Sequence, residues 1–208
     1  MLGIENYPIF ILTSFLLAIT PGPDILYVLS RGLDAGKKSA LAAAAGFSLG
    51  NIFHLSLMLL GISALVKANP VLFSGIKYAG ALYLAYLGVM IWKSAESKIS
   101  TDQAINTNKG YFTVFRQSVV ANMLNPKVIT FFLALFPQFV QKDSEDTSWA
   151  IIILGLTFIL ITWIVFSSVG FFAGKLGDLL KNKPEYAVYI SKTAGGILLL
   201  LAITLIFT

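Results

Sequence analysis

Two opposite charges lie within apolar stretches of the chain, where ionised side chains are rare. Asp24 follows Thr20-Pro21-Gly22-Pro23, and Lys127 follows Leu124-Asn125-Pro126. A charge at the centre of a bilayer costs roughly 2.5–3.5 kcal/mol on insertion scales. A site with one cation and one anion suits a zwitterion, whose carboxylate would bind Lys127 while Asp24 takes an ammonium group or a proton. The alternative is a structural ion pair, and a pair that opens would serve both purposes.

Both charges follow prolines that are expected to interrupt a helix. Proline inside a helix removes a hydrogen bond and clashes with the preceding turn, at about 3 kcal/mol or more. Within a bilayer, broken helices are tolerated where protein or a wet cavity surrounds them, and such cavities bind substrate. Asn125 is typical of an N-cap and Pro126 of the first helical position. We expect the free N–H groups of this new half-helix to contribute to an anion site.

Amide and imidazole side chains are the next candidates. Asn51 and His54 are three residues apart, hence on one helix face, and His54 is the only histidine. His54 would relay a proton, because imidazole titrates near neutrality, or would make one interhelical hydrogen bond. Asn122 and Asn125 would line a cavity or join helices.

One short pattern resembles a catalytic motif. Gly46-Phe-Ser-Leu-Gly50 matches G-x-S-x-G, which marks a nucleophilic serine only at a strand-to-helix turn. Here the pattern lies in a long apolar segment, and Gly46 and Gly50 have the GxxxG spacing of close helix packing. We therefore predict packing, no enzyme activity and no cofactor.

The elements that position these residues must be membrane helices. The 208 residues are 57% hydrophobic and 12% charged, with a mean hydropathy of +0.81, whereas soluble domains carry about 25% charged residues. The absence of cysteine excludes disulfides and thiolate metal sites. The net charge of +5 comes from basic residues in short loops, which does not favour a nucleic-acid partner.

A helix needs about 20 apolar residues to cross the bilayer. Six segments qualify: Tyr7–Ser30, Ser39–Val66, Pro70–Trp92, Phe115–Val140, Ser148–Gly174 and Tyr186–Phe207. A polar linker, residues 94–114, separates a first three-helix repeat, residues 1–93, from a second, residues 115–208. No Lys or Arg precedes the first segment, so we expect it to remain as a span and not to be a cleaved signal.

Lys and Arg residues are unevenly distributed between the two sides. Eleven of the fifteen lie beside the first, third and fifth connections, among them Arg31, Lys37 and Lys38. The positive-inside rule puts that side in the cytoplasm and both termini outside.

The two halves of the chain also echo each other. Pro23-Asp24 corresponds to Pro126-Lys127, and Lys77-Tyr-Ala-Gly80 to Lys192-Thr-Ala-Gly195. Three spans per half imply an inverted repeat, as in many secondary transporters.

Most of the chain resembles the LysE/RhtB family of amino-acid exporters. The matching segments are Thr20-Pro-Gly-Pro-Asp24, the alanine-rich run from Gly36 to Gly50, Lys77-Tyr-Ala-Gly80 through Tyr83-Leu-Ala-Tyr-Leu-Gly88, Asn122-Met-Leu-Asn-Pro-Lys127 and Pro137-Gln-Phe139. The resemblance implies a six-span carrier that exports amino acids such as lysine, threonine, homoserine or leucine, driven by the proton gradient. The family's motif roles carry over to Asp24, Asn125, Pro126 and Lys127.

Two positions depart from the family pattern. Asn51 stands where many relatives carry aspartate, and Ser118 where glycine is common.

The rival functions are an exporter of metal or inorganic ions, a membrane scaffold and a channel. One histidine, no cysteine and one buried carboxylate are a poor ligand set for transition metals. The absence of a second buried carboxylate favours neutral substrates, and glycine-rich faces suggest a homodimer.

Overall fold

A computed structural model describes residues 3–68, 75, 78, 81–82, 85–86, 88–90, 92–93, 110–141, 147–183 and 185–207. The described residues form helices joined by short turns, with no β-strand among them. One antiparallel bridge pairs Ile4 with Val140 and holds the N-terminal segment beside the chain at Val140. The described part of the chain is all-α, as predicted.

The first helix break lies at the Pro-Gly-Pro run. Helix α1 spans Tyr7–Ile19 and helix α2 spans Pro23–Ala68. Thr20 ends α1, because its N–H and its hydroxyl both bond to the carbonyl of Leu16, at 3.0 and 2.6 Å. Pro23 begins α2, where the missing N–H of proline costs no hydrogen bond.

The connection predicted over residues 31–38 is a single non-helical glycine. Gly36 has φ 78° and ψ 173°, and it joins helical stretches 23–35 and 37–68 within α2. Glycine adopts this left-handed φ at little cost, so the chain changes direction without a loop.

Arg31 consequently does not lie in a loop. Its side chain is completely buried, and its Nε donates to Ser39 Oγ at 2.8 Å across the Gly36 kink. The count of loop cations on the side predicted to be cytoplasmic therefore falls from eleven to ten, which still exceeds the count on the other side.

The second helix break follows helix α3, Tyr111–Met123. Leu124 and Asn125 separate it from helix α4, Pro126–Thr130, which continues as a π-helical turn, Phe131–Leu135, and a 3₁₀ turn, Phe136–Phe139. The two sides of the break are bent by 47°. The span predicted at 115–140 is thus a broken helix.

Three further helices follow: α5, Thr147–Phe171; α6, Ala173–Asn182; and α7, Glu185–Phe207. The described residues between 75 and 93 are also helical. Within the described ranges, Pro23–Gly61 and Thr147–Phe171 are long and apolar enough to span a membrane, and the bent pair would make a third span. The predicted third span and the linker fall largely outside the described residues, as does most of Lys77-Tyr-Ala-Gly80. The six-span arrangement remains a prediction.

The glycine pattern of α2 is a packing face, as predicted. A Cβ on Gly46 would lie 2.6 Å from the Cβ of Ser118, and one on Gly50 would lie 2.7 Å from the Cβ of Asn122. These glycines let α2 approach α3 closely. Ser48 lies between them inside a continuous helix, so the strand-to-helix turn of a nucleophile elbow is absent there.

A second glycine contact joins the third predicted span to α7. A Cβ on Gly195 would lie 2.8 Å from the carbonyl oxygen of Gly88. Both of these glycine contacts are made within one chain, and the expected homodimer stays a prediction.

An aromatic cluster fixes the chain beyond the second break. Phe131 stacks on Phe158 of α5 at 4.4 Å between ring centroids, while Phe10 of α1 meets Phe136 and Phe139 edge to face at 5.7 and 5.1 Å. Such aromatic pairs contribute about 0.5–1.5 kcal/mol each. The cluster fastens α1, α5 and the α4 extension together and so positions both breaks.

Candidate functional site

Asp24 and Lys127 form a buried ion pair between the two helix breaks. Lys127 Nζ lies 2.8 Å from Asp24 Oδ2 and 2.9 Å from Oδ1. Only 2% of Asp24 and 8% of Lys127 are exposed. Removing one member of a buried pair typically costs 3–5 kcal/mol, because the other charge is left uncompensated. The pair therefore ties the first break to the second.

Lys127 also contacts the carboxyl end of α1. Its Nζ donates to the carbonyl oxygens of Leu17 and Thr20 at 3.3 and 3.4 Å. These are among the last carbonyls of α1, which have no partner within a helix, and they lie at the negative end of its dipole. A lysine at the start of α4 looks unfavourable from sequence, but its ammonium group reaches the favourable end of another helix.

Asp24 lies in the first turn of α2, at the positive end of that helix dipole. Its Oδ1 also accepts the N–H of Ile25 at 2.9 Å. Gly22 keeps the backbone against the pair, since a Cβ there would lie 2.8 Å from Asp24 Oδ1 and 3.1 Å from Lys127 Nζ. A side chain at this position would therefore displace the ion pair.

The second break is closed by its own cap. Asn125 Oδ1 accepts the N–H of Lys127 at 3.0 Å, and the carbonyl of Asn125 accepts the N–H groups of Val128 and Ile129. Pro126 has no N–H to offer. The expectation that free N–H groups here form part of an anion site was wrong, because Asn125 already satisfies them. The ammonium group of Lys127 is left as the candidate ligand for an anion.

A buried amide network lies beside the ion pair. Asn122 Nδ2 donates to Asn51 Oδ1, and Asn51 Nδ2 donates to Thr162 Oγ1, both at 3.2 Å. His54 Nε2 lies 3.2 Å from the backbone oxygen of Asn122 and its ring stacks on Phe132. The network links α2, α3 and α5.

A small cavity joins the ion pair to this network. Its volume is about 10 Å³, which is room for about one water molecule. Its polar lining consists of Asp24, Lys127, Asn51, Asn122 and Thr162, and its apolar wall includes Leu17, Val128 and Phe158.

The structure therefore brings four of the predicted site residues to one cavity. Asp24, Lys127, Asn51 and Asn122 line it, whereas Asn125 caps α4 and His54 contacts the backbone of Asn122. Sequence reasoning missed Thr162, whose only signal is a hydroxyl within an otherwise apolar span.

Comparison with known proteins gives a consistent match over most of the chain. Residues 15–208 match the family described as LysE type translocator. The chain is 32% identical to a leucine efflux protein of Enterobacter sp. (strain 638), over 89% of this chain and 87% of the relative.

Two other relatives are similar over comparable lengths. A homoserine/homoserine lactone efflux protein of Salmonella typhi is 29% identical, over 92% of this chain and 91% of the relative. An uncharacterized membrane protein of Vibrio cholerae is 30% identical over 89% of each. No solved structure gives a significant match.

Proposed function

The chain belongs to the LysE type translocator family, and from this premise we propose that it exports a small neutral amino acid, or a related metabolite, from the cytoplasm. It is a membrane transport protein and not an enzyme. The relatives named for leucine and for homoserine efflux support an amino-acid substrate.

The observation that carries this proposal is the buried ion pair at the two helix breaks. A free amino acid carries one carboxylate and one ammonium group, the same two charges that Asp24 and Lys127 present to each other at 2.8 Å. A bound amino acid would exchange partners with the pair, its carboxylate contacting Lys127 and its ammonium group contacting Asp24. No charge would then be left uncompensated in the bilayer.

The size of the cavity supports alternating access as the proposed mechanism. A volume of about 10 Å³ is far below the roughly 300–1,000 Å³ of small-molecule sites, so the described conformation is closed. The breaks at Thr20–Gly22 and Leu124–Asn125 would act as hinges that part the pair and open the cavity to one side at a time.

Protons are the proposed coupling ion, exchanged for substrate. A proton on Asp24 would neutralise its carboxylate and release Lys127 for the substrate carboxylate. His54 is the proposed relay, since it contacts the backbone of Asn122, which lines the cavity.

We further propose the predicted organisation of six spans in the inner membrane, with inverted repeats at residues 1–93 and 115–208 and a cytoplasmic linker at residues 94–114. One break in each half, each carrying one charge, supports this repeat. Both termini would face outward.

The test is amino-acid export from cells fed dipeptides, which raise internal amino-acid pools. Cells with the wild-type chain should release one or a few amino acids faster than empty-vector cells. Asp24→Asn should abolish this release. Asp34→Asn, which removes an exposed carboxylate from the same helix, should leave it intact.

Two results would contradict the proposal. If the membrane-inserted wild-type chain releases no amino acid faster than empty-vector cells, amino-acid export is wrong, and ion export and a scaffold role become the next hypotheses. If Asp24→Asn exports as well as Asp34→Asn, export stands but the assigned site is wrong.

A further inference from the structure

In the amide network beside the ion pair, each hydrogen bond is donated towards Thr162: Asn122 donates to Asn51, and Asn51 donates to Thr162. Thr162 Oγ1 lies 2.9 Å from the carbonyl oxygens of both Phe158 and Ile159 in its own helix. A hydroxyl has one hydrogen to donate, and here these two helix carbonyls hold it. Towards Asn51, Thr162 can therefore only accept.

This constraint passes along the chain of amides. Asn51 must turn its NH₂ group towards Thr162, so its Oδ1 faces Asn122. Asn122 must then turn its own NH₂ group towards Asn51. Either amide alone has two orientations of almost equal shape, but the threonine fixes both.

The hydrogen-bond network ends at Asn122 in an unused acceptor. Asn122 Oδ1 is buried and has no donor among the residues that the structure describes. Asn122 is only 1% exposed and lines the same cavity as Asp24 and Lys127, while its Oδ1 packs against Gly50 of α2, where a Cβ would lie 2.8 Å from it. A buried acceptor without a donor costs about 1–3 kcal/mol, so a ligand that supplies a donor there gains from it.

We infer that Thr162 is a positioning residue for substrate selection: it fixes the cavity-lining Asn122 with Oδ1 as its free acceptor, which selects, once the cavity opens to substrate, neutral amino acids whose side chain carries a hydroxyl group. This inference rests on the proposed function, since it assumes that the backbone charges of the substrate bind Asp24 and Lys127. The substrate hydroxyl donates to Asn122 Oδ1. A methyl group at the same position leaves that oxygen unsatisfied, and an ether oxygen faces it as a second acceptor.

The test uses the purified full chain in proteoliposomes and measures efflux of loaded amino acids. Three pairs differ only by a hydroxyl in place of a methyl group: serine and 2-aminobutyrate, threonine and valine, homoserine and norvaline. A fourth pair is homoserine and its O-methyl ether, which can accept but not donate. We expect the wild-type chain to prefer the hydroxyl member of the pairs that fit the site by about tenfold.

Three variants separate the role of Thr162 from general damage. Thr162→Val frees both amides to turn, so Asn122 can present Nδ2 to the ether oxygen, and the homoserine-to-ether ratio should fall by about tenfold. Thr162→Ser keeps the hydroxyl and should keep the wild-type ratio. Thr157→Val is the matched control, because Thr157 also donates to its own helix, at 2.7 Å to the carbonyl of Ile153, but lies outside the cavity lining.

Each outcome decides the inference. Equal wild-type efflux of the hydroxyl and methyl members overturns it without any variant, even if Thr162→Val fails to fold. An unchanged homoserine-to-ether ratio in a folded Thr162→Val also overturns it, while amino-acid export itself still stands. The absence of any amino-acid flux from the wild-type chain is a separate result, which removes the proposed function and this inference with it.

Discussion

The two helix breaks carry opposite charges, and they differ in how their backbone polar groups are satisfied. The first, between Ile19 and Pro23, exposes the carbonyls that end α1 and presents a carboxylate. The second, between Met123 and Pro126, is closed by the Asn125 side chain and presents a cation. The first break takes its missing donors from Lys127 of the second, whereas the second satisfies its own backbone.

This difference implies that the two members of the ion pair are not equivalent. Without Lys127, the carboxylate of Asp24 and the carbonyls of Leu17 and Thr20 would all lose a donor. Without the charge of Asp24, Lys127 would keep both carbonyls and the second break would keep its cap. Substrate should therefore replace Asp24 more easily than it replaces Lys127.

Lys127→Met should have the largest effect on stability. It leaves a buried carboxylate and two carbonyls unpaired, and we expect a loss of about 3–5 kcal/mol in the free energy of unfolding together with loss of transport. Denaturation in mixed micelles would measure it. Lys38→Met, which removes an exposed lysine of the same chain, is the control, and an equal loss in both would contradict the role of Lys127.

Asp24→Asn should abolish transport at a smaller cost in stability. The amide oxygen still accepts from Lys127, so we expect a loss of about 1.5–3 kcal/mol, the range for a hydrogen bond to a charged group. The same micelle assay tests this value.

The double variant Asp24→Asn/Lys127→Met sharpens the comparison. It should be more stable than Lys127→Met alone, because the unpaired carboxylate is gone. The reverse order would mean that Asp24, and not Lys127, supports the first break.

Asn125→Ala tests the second break by itself. Loss of the cap should cost about 0.5–2 kcal/mol, because the N–H of Lys127 loses its acceptor. Asn125→Ser, which retains a capping oxygen, should restore most of this stability. No difference between the two variants would show that the cap at 3.0 Å does not stabilise the break.

The sequence predicted the places of both breaks and missed the contacts that hold them. Proline lacks an N–H, so a helix end near Pro23 or Pro126 can be inferred from residue type alone. The carbonyls that bind Lys127 belong to Leu17 and Thr20, and backbone oxygens have no sequence signal. Asn125 was recognisable as a cap. The sequence did not show that this cap would bind the N–H of Lys127 and so remove it from an anion site.

Burial was the other property that sequence could not supply. Arg31 reads as a loop cation because it lies among polar residues near Gly36, yet the kink at that glycine folds it into the protein. Thr162 reads as one hydroxyl in an apolar helix, and its importance comes only from packing against Asn51 of a distant segment. Both cases depend on tertiary contacts between helices, which local pattern does not encode.

Two cysteine variants test the membrane orientation, and they should have the smallest effect on the protein itself. The chain has no cysteine, so Gln141→Cys and Lys183→Cys each introduce one exposed thiol. An impermeant thiol reagent added to whole cells should label position 141 only, and position 183 should react after the membrane is opened. Labelling of position 183 in whole cells would show that the true orientation is the reverse of the proposed one.

The central claim is that Asp24 and Lys127 bind the two charges of an amino acid. Its most direct test is counterflow in proteoliposomes with the amino acid that the chain exports fastest. Its amide, which lacks the carboxylate, and its N-acetyl derivative, which lacks the ammonium group, would be the competitors. The account predicts that each competes at least about tenfold more weakly than the amino acid itself. Equal competition by either derivative would contradict it, because the corresponding member of the ion pair would then have no substrate charge to bind.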